Sequence, residues 1–74
     1  MINIWDYQDV NRVRITDVDG QVFEGNVISV DDAEESSDLE KAEDNISIMT
    51  DDGRYIGIYQ SEIAKIDVIV AKAV

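Results

Sequence analysis

Residues 13–31, VRITDVDGQVFEGNVISVD, decide the fold class. Val13 and Ile15 alternate with polar residues, as in a strand that turns one face to a core and the other to water. Residues 17–20, DVDG, are strong turn formers. We therefore predict that a β-hairpin joins this strand to a second strand over residues 21–30.

The second strand changes its apolar face halfway along. Alternation places Phe23 and Val27 on one face, and it places Val22, Ile28 and Val30 on the other. A glycine inside a strand often marks a bend or a bulge at the corner of a small barrel. We therefore predict that Gly25 bends this strand.

Three more strands are predicted beyond residue 45. Ile46 and Ile48 alternate with Ser47 and Met49, and the turn DDG at residues 51–53 leads into a strand that ends at Tyr59. Gly20 and Gly53 are the structural glycines of the two tight turns. In the last strand, residues 63–70, alternation gives two faces: Ala64, Ile66, Val68 and Val70 on one, and Ile63, Lys65, Asp67 and Ile69 on the other.

The N-terminal residues complete the predicted architecture. Residues 1–11 contain Ile4, Trp5, Tyr7 and Val10, which are enough to pack a short helical turn over one end of a barrel. We therefore expect one all-β domain over residues 1–74, built as a five-stranded, strongly bent antiparallel barrel of the SH3-like type.

The charge is concentrated in one segment. The chain has 17 acidic and 6 basic residues, which gives a net charge of −11. Residues 31–44 contain eight carboxylates against Lys41 alone, and they contain little apolar surface. We interpret this segment as a mobile acidic loop. Ser37 and Glu40 have capping-box spacing, which is compatible with one helical turn there.

The composition excludes several classes of chemistry. The chain has no histidine and no cysteine, so it lacks the usual general base and the commonest metal ligands. Neither Asp-Gly turn has the spacing of an EF-hand loop. We expect no enzymatic activity, no cofactor and no metal site. With no long apolar run and no basic leader, we also expect a soluble, cytoplasmic protein without membrane contact.

Residues 13–31 resemble the first signature of the Sm/LSm family of small β-barrels, and the chain looks like a small bacterial-type LSm domain. The matching positions are Val13, Ile15, Asp19, Gly20, Phe23, Gly25, Val27, Val30 and Asp31. Asp17 departs from the family pattern, which usually has an apolar residue there. Ile63 and Ile66 set the register of the second signature in the last two strands. The resemblance implies a five-stranded barrel, often preceded by a short helix, that forms rings by pairing its fourth strand with the fifth strand of a neighbour.

The family's RNA-contact positions fall on different residue types in this chain. The resemblance makes Asp31, Glu35, Tyr59 and Gln60 the candidate ligand positions. Glu35 stands where RNA-binding members have an asparagine, and Tyr59-Gln60 replaces an Arg-Gly pair. Glu35 would repel RNA, although Tyr59 could stack on a base. We therefore expect no appreciable RNA affinity.

The last two strands have few features that prevent edge-to-edge pairing. No proline or charge lies between Tyr55 and Tyr59, and Lys65 and Asp67 have opposite signs. We predict a homo-oligomer, either a ring or a dimer, in which these strands pair between subunits. The candidate interface residues are Tyr55, Tyr59, Ile63, Lys65, Asp67 and Ile69.

Three functions fit these patterns. The first is a non-catalytic Sm-like module that assembles with itself and binds a protein partner of unknown identity. The second is an RNA-binding Sm-like ring that uses altered contacts. The third is an acidic mimic of nucleic acid that occupies a basic protein.

Overall fold

The computed structural model describes residues 2–32 and 43–70. The predicted loop over residues 31–44, with its predicted helical turn and Glu35, lies largely outside these ranges. Five strands and two short 3-10 turns are present in the described residues. In chain order they are η1 (Ile4–Tyr7), β1 (Arg12–Asp17), β2 (Val22–Asp31), β3 (Asn45–Thr50), β4 (Tyr55–Tyr59), η2 (Gln60–Glu62) and β5 (Ile63–Val70).

The five strands form one antiparallel sheet in the order β4-β3-β2-β1-β5. This confirms the predicted all-β class and the five-stranded bent architecture. β4 and β5 are the two ends of this sheet and, within residues 2–32 and 43–70, they are not paired with each other, so the sheet is open between them.

The core consists of branched aliphatic side chains from every strand. η1 covers one end of it, because Ile4 is fully buried, and this confirms the predicted N-terminal turn. The buried apolar residues are Ile4, Val13, Ile15, Val30, Ile46, Ile48, Ile58, Ile63 and Ile66.

The two Asp-Gly turns form as predicted. Gly20 has φ of 87° and Gly53 has φ of 84°, which L-residues with a side chain rarely adopt. The Asp17 carboxylate accepts hydrogen bonds from the backbone N–H groups of Asp19 (2.9 Å) and Gln21 (2.8 Å). This turn cap gives a physical reason for an aspartate where the Sm pattern has an apolar residue.

A β-bulge at Ile28 changes the predicted faces of β2. The register with β3 shifts between Val27 and Ser29, so Ile28 is an extra residue and is half exposed. Because of this extra residue, the side chain of Val30, two positions later, points into the core and is buried. Val30 therefore lies on the same core face as Phe23 and Val27, and the prediction that it lies opposite them is wrong.

Gly25 is required by a close approach of two backbones. It is buried, and its neighbours on β1 and β3 are paired without a shift in register. A Cβ atom there would lie 2.7 Å from the Met49 carbonyl carbon and 3.1 Å from Thr50 Cα, and it would overlap the Met49 carbonyl oxygen. The switch of faces predicted for Gly25 instead occurs at the bulge.

Two further irregularities change the predicted faces of β5. Its register with β1 skips Ala64 and Ile69, so strict alternation fails at both positions. As a result Ile63 and Ile66 both point into the core, with 7% and 8% of their surface exposed. The prediction that Ile63 shares the outer face with Lys65 is therefore wrong.

Candidate functional site

Three of the four candidate ligand positions meet at one end of the sheet. Asp31 at the end of β2 is the direct strand partner of Asn45, which is in turn the partner of Tyr59 at the end of β4. Gln60 follows Tyr59 as the first residue of η2. Glu35 lies outside the described residues.

Gln60 holds the N-terminal turn against the barrel. Its side-chain carbonyl oxygen accepts a hydrogen bond from the Ile4 backbone N–H at 3.0 Å. Its own backbone N–H donates to the Asp44 carbonyl oxygen at 2.9 Å. The side chain at this family ligand position is therefore engaged in positioning η1.

Trp5 lies at this same end of the sheet, and sequence reasoning did not identify it as a site residue. Its indole N–H donates to the Asp44 carboxylate at 3.0 Å, and 36% of its surface remains exposed. The only signal in the sequence is that Trp5 is the single tryptophan of the chain. Its contact with Asp44 spans 39 residues, so no local pattern reveals it.

The second candidate region consists of the two open strand edges. Among the strands of the described residues, β4 pairs with β3 alone, and Tyr55 is 59% exposed at its start. Within the same ranges β5 pairs with β1 alone, and it exposes 48% of Val68 and 38% of Ile69. Ile63 is buried in its own chain, so its side chain is not available at the edge as the sequence suggested.

The charged residues of β5 interact with each other. The Lys65 ammonium lies 3.4 Å from the Asp67 carboxylate, and both side chains remain substantially exposed. Neighbouring opposite charges cancel at a distance, so this pair leaves little net charge on the β5 edge.

Every basic side chain of the described residues is paired with a carboxylate of the same chain. Arg12 binds Asp51 through two hydrogen bonds of 2.9 and 2.7 Å, and it also reaches Glu24 at 3.0 Å. The remaining ion pairs join Arg14 to Glu24, Arg54 to Asp52 and Lys65 to Asp67.

The arginine contacts stabilise the charged forms of three carboxyl groups. Hydrogen bonds from Arg12 lower the pKa of Asp51, and hydrogen bonds from Arg12 and then Arg14 lower the pKa of Glu24. For Asp52, the Thr50 hydroxyl is the main cause of a lowered pKa, and Arg54 adds to it. The Arg12 network therefore ties the β3–β4 turn to β1 and β2 while both carboxylates are ionised.

Within residues 2–32 and 43–70, no three acidic side chains converge closely enough to hold a metal ion. The same part of the chain contains no helix with the length and apolarity to cross a bilayer.

Comparison with known proteins gives no assignment. No protein-family model matches the chain, and neither the curated proteins nor the solved structures contain a significant match.

Proposed function

We propose that the chain is a non-catalytic Sm-like module that assembles with itself through the open edges of β4 and β5 and binds a protein partner. The observation that carries this proposal is that β4 and β5 are the two end strands of the sheet that the described residues form. End strands of a sheet can accept a strand from another chain through their outer backbone groups.

The β4 edge has the features of a strand that accepts a partner. Its five residues, YIGIY, contain no charge and no proline, and β4 pairs with β3 without a register shift. Monomeric proteins usually protect such an edge with lysine, proline or a bulge. β4 has none of these three features, which favours intermolecular pairing.

The β5 edge has Lys65 and two bulges, but the Lys65 charge is paired with Asp67 and a regular stretch with exposed apolar surface remains between the bulges. Its two bulges lie at Ala64 and Ile69, so residues 65–68 between them form a regular stretch. Val68 points to the core side of the sheet, where its partner Val13 is fully buried, yet Val68 is half exposed. A strand added to this edge would cover Val68 and extend the apolar core into the next subunit.

The fold is consistent with the Sm-like proposal. Five antiparallel strands preceded by a short helical turn are what the sequence resemblance implies. The resemblance also implies pairing of the fourth and fifth strands between subunits, which are the strands with free edges here.

The charge distribution favours a protein partner over RNA. The described residues contain thirteen carboxylates and four cations, and all four cations are already paired within the chain. Affinity for nucleic acid depends on cations that can neutralise phosphates. We therefore expect no appreciable affinity for single-stranded RNA at physiological salt.

Light scattering tests the self-assembly. We expect the wild-type chain to be oligomeric at about 100 µM, a concentration that detects association free energies of about −5.5 kcal/mol or stronger. Ile69→Lys should shift the mass towards monomer by placing a charge on the β5 edge. Because each copy carries a charge of −11, added salt should strengthen the association.

Ile28→Lys is the matched control. It introduces the same change at an exposed isoleucine of β2, which is separated from each free edge by one strand. Its mass should equal that of the wild type. A monomeric wild-type chain, or equal dissociation by both variants, would contradict pairing through these edges.

A further inference from the structure

The side chain of Trp5 is an exposed aromatic surface held in a fixed position. A large aromatic side chain usually lies in the core of a small domain or in an interface, because its burial is strongly favourable. Here the indole edge is fixed by the hydrogen bond to Asp44, and 36% of the residue stays in contact with solvent. Nothing in the self-assembly through β4 and β5 uses this residue.

The backbone around Trp5 is held by two side chains, one from its own segment and one from η2. The Asn3 side chain caps η1 by accepting from the Trp5 N–H at 3.2 Å, and Gln60 binds the N–H of Ile4 at 3.0 Å. Glu43 accepts a hydrogen bond from the Ser61 N–H at 2.6 Å, next to Gln60. The indole is therefore presented on a preorganised surface, which lowers the entropy lost on binding.

The electrostatic environment of Trp5 is acidic. Asp44 accepts the hydrogen bond of the ring, Asp6 follows Trp5 in the chain, and Asp31, which Asp32 follows, ends β2 as the strand partner of Asn45, next to Asp44. Among aromatic side chains, the face of a tryptophan ring attracts cations most strongly. Carboxylates around the ring add a long-range attraction for the same ligand.

We infer that this surface, Trp5 with Asp44 and the neighbouring carboxylates, binds a lysine- or arginine-rich segment of a basic protein. One cationic side chain lies on the exposed part of the indole, and others approach the carboxylates. The inference specifies the partner class of the proposed protein-binding role. It does not require self-assembly, because Trp5 lies on neither free edge.

The charge at this surface determines which macromolecule fits. Aromatic side chains also stack on nucleic acid bases, but nucleic acid recognition requires cations that neutralise phosphates. Every basic group in residues 2–32 and 43–70 already contacts a carboxylate of its own chain. A polycation is therefore the complementary ligand.

Trp5 is also the reporter for the experiment, because it is the only tryptophan in the chain. The probe is a capped peptide of about ten alternating lysine and glycine residues, with a matching serine–glycine peptide as control. We expect the lysine peptide to change the indole fluorescence and the serine peptide to leave it unchanged. Added salt should weaken this binding, whereas it should strengthen self-assembly, so the two proposals fail separately.

Single-residue variants test whether the peptide binds at Trp5 and Asp44. Labelled lysine peptide and fluorescence anisotropy allow all variants to be compared, with circular dichroism as the check of folding. Trp5→Leu should weaken binding about two- to fivefold, the change expected for one cation–π contact at an exposed site. Asp44→Asn keeps an acceptor for the indole N–H and removes one charge, so it should weaken binding about twofold. Ile28→Ala, at an exposed apolar residue of β2 that lies outside both proposed binding surfaces, should bind like the wild type.

Several outcomes would overturn the inference. They are absence of peptide binding at low salt, equal binding by the wild type and Trp5→Leu, and equal weakening by Trp5→Leu and Ile28→Ala. Oligouridine that binds the wild type and changes the Trp5 fluorescence would also overturn it in favour of an RNA surface. If Trp5→Leu does not fold, Asp44→Asn decides, and unchanged peptide affinity in that variant refutes the site.

Discussion

Replacing Gly25 with alanine tests the close approach of β2 and β3. The added Cβ would lie 2.7 Å from the Met49 carbonyl carbon, well inside normal van der Waals contact, and it would overlap the carbonyl oxygen. The obstructing atoms belong to the backbone of a paired strand, so no side-chain rotation can relieve the overlap. One of the two strands has to move, which breaks or stretches ladder hydrogen bonds.

The expected magnitude follows from two opposing effects. Overpacking a tight site costs about 1–3 kcal/mol, and backbone obstruction places this site in the upper part of that range. Alanine recovers about 0.5–1 kcal/mol by restricting the unfolded chain more than glycine does. We therefore expect a net destabilisation of about 2 kcal/mol, which lowers the melting temperature of so small a domain by about 8–16 °C.

Gly57→Ala provides the matched control in the same sheet. Gly57 lies in β4 and is exposed, and a Cβ there would meet only the Ser47 hydroxyl oxygen, at 3.7 Å, which is an ordinary contact. This variant should be as stable as the wild type or more stable by up to about 1 kcal/mol. Urea unfolding, monitored by circular dichroism, measures the free energy of unfolding of both variants. A Gly25→Ala chain within about 0.5 kcal/mol of the wild type would refute the close approach, since that is the range of neutral surface substitutions.

Asp51→Asn should lower the melting temperature near neutral pH by removing the bidentate contact with Arg12. Because Arg12 lowers the folded-state pKa of Asp51, this stabilisation is present above the usual aspartate pKa of about 3.9 and is lost as the pH falls through the lower folded value. Melting curves of both chains should therefore converge at low pH, and a difference that persists there would contradict an ionic role. Replacing residues 33–42 with two glycines should preserve or raise the melting temperature, because Asp31 and Asn45 are direct strand partners and like charges are removed. Loss of cooperative melting would show that the fold requires the segment.

The sequence was sufficient for the parts of the fold that depend on neighbouring residues. The alternation around Ile15 and the Asp-Gly turns at Gly20 and Gly53 are local patterns, and the structure contains the strands and turns that they predict. The short N-terminal turn that buries Ile4 was also predicted. Periodicity and turn chemistry act over a few residues, so a single sequence contains the necessary information.

The candidate site could be predicted only in part. The sequence indicated Tyr59 and Gln60 through a family resemblance, and the structure places Asp31 and Tyr59 on strand ends that flank Asn45. The engagement of Gln60 with Ile4 spans 56 residues, so it follows from the packing of η1 on the barrel and not from any local pattern.

Tertiary structure alone decided which side chains face the core after each irregularity. A bulge moves every later residue of a strand to the opposite face, and its position depends on the partner strand. The sequence does not mark Ile28 or Ala64 as extra residues, so alternation assigned Val30 and Ile63 to the wrong faces. Hydrophobic patterning thus determined that a bent β-sheet forms. The pairing between distant strands determined which residues fill its core and which remain on its open edges.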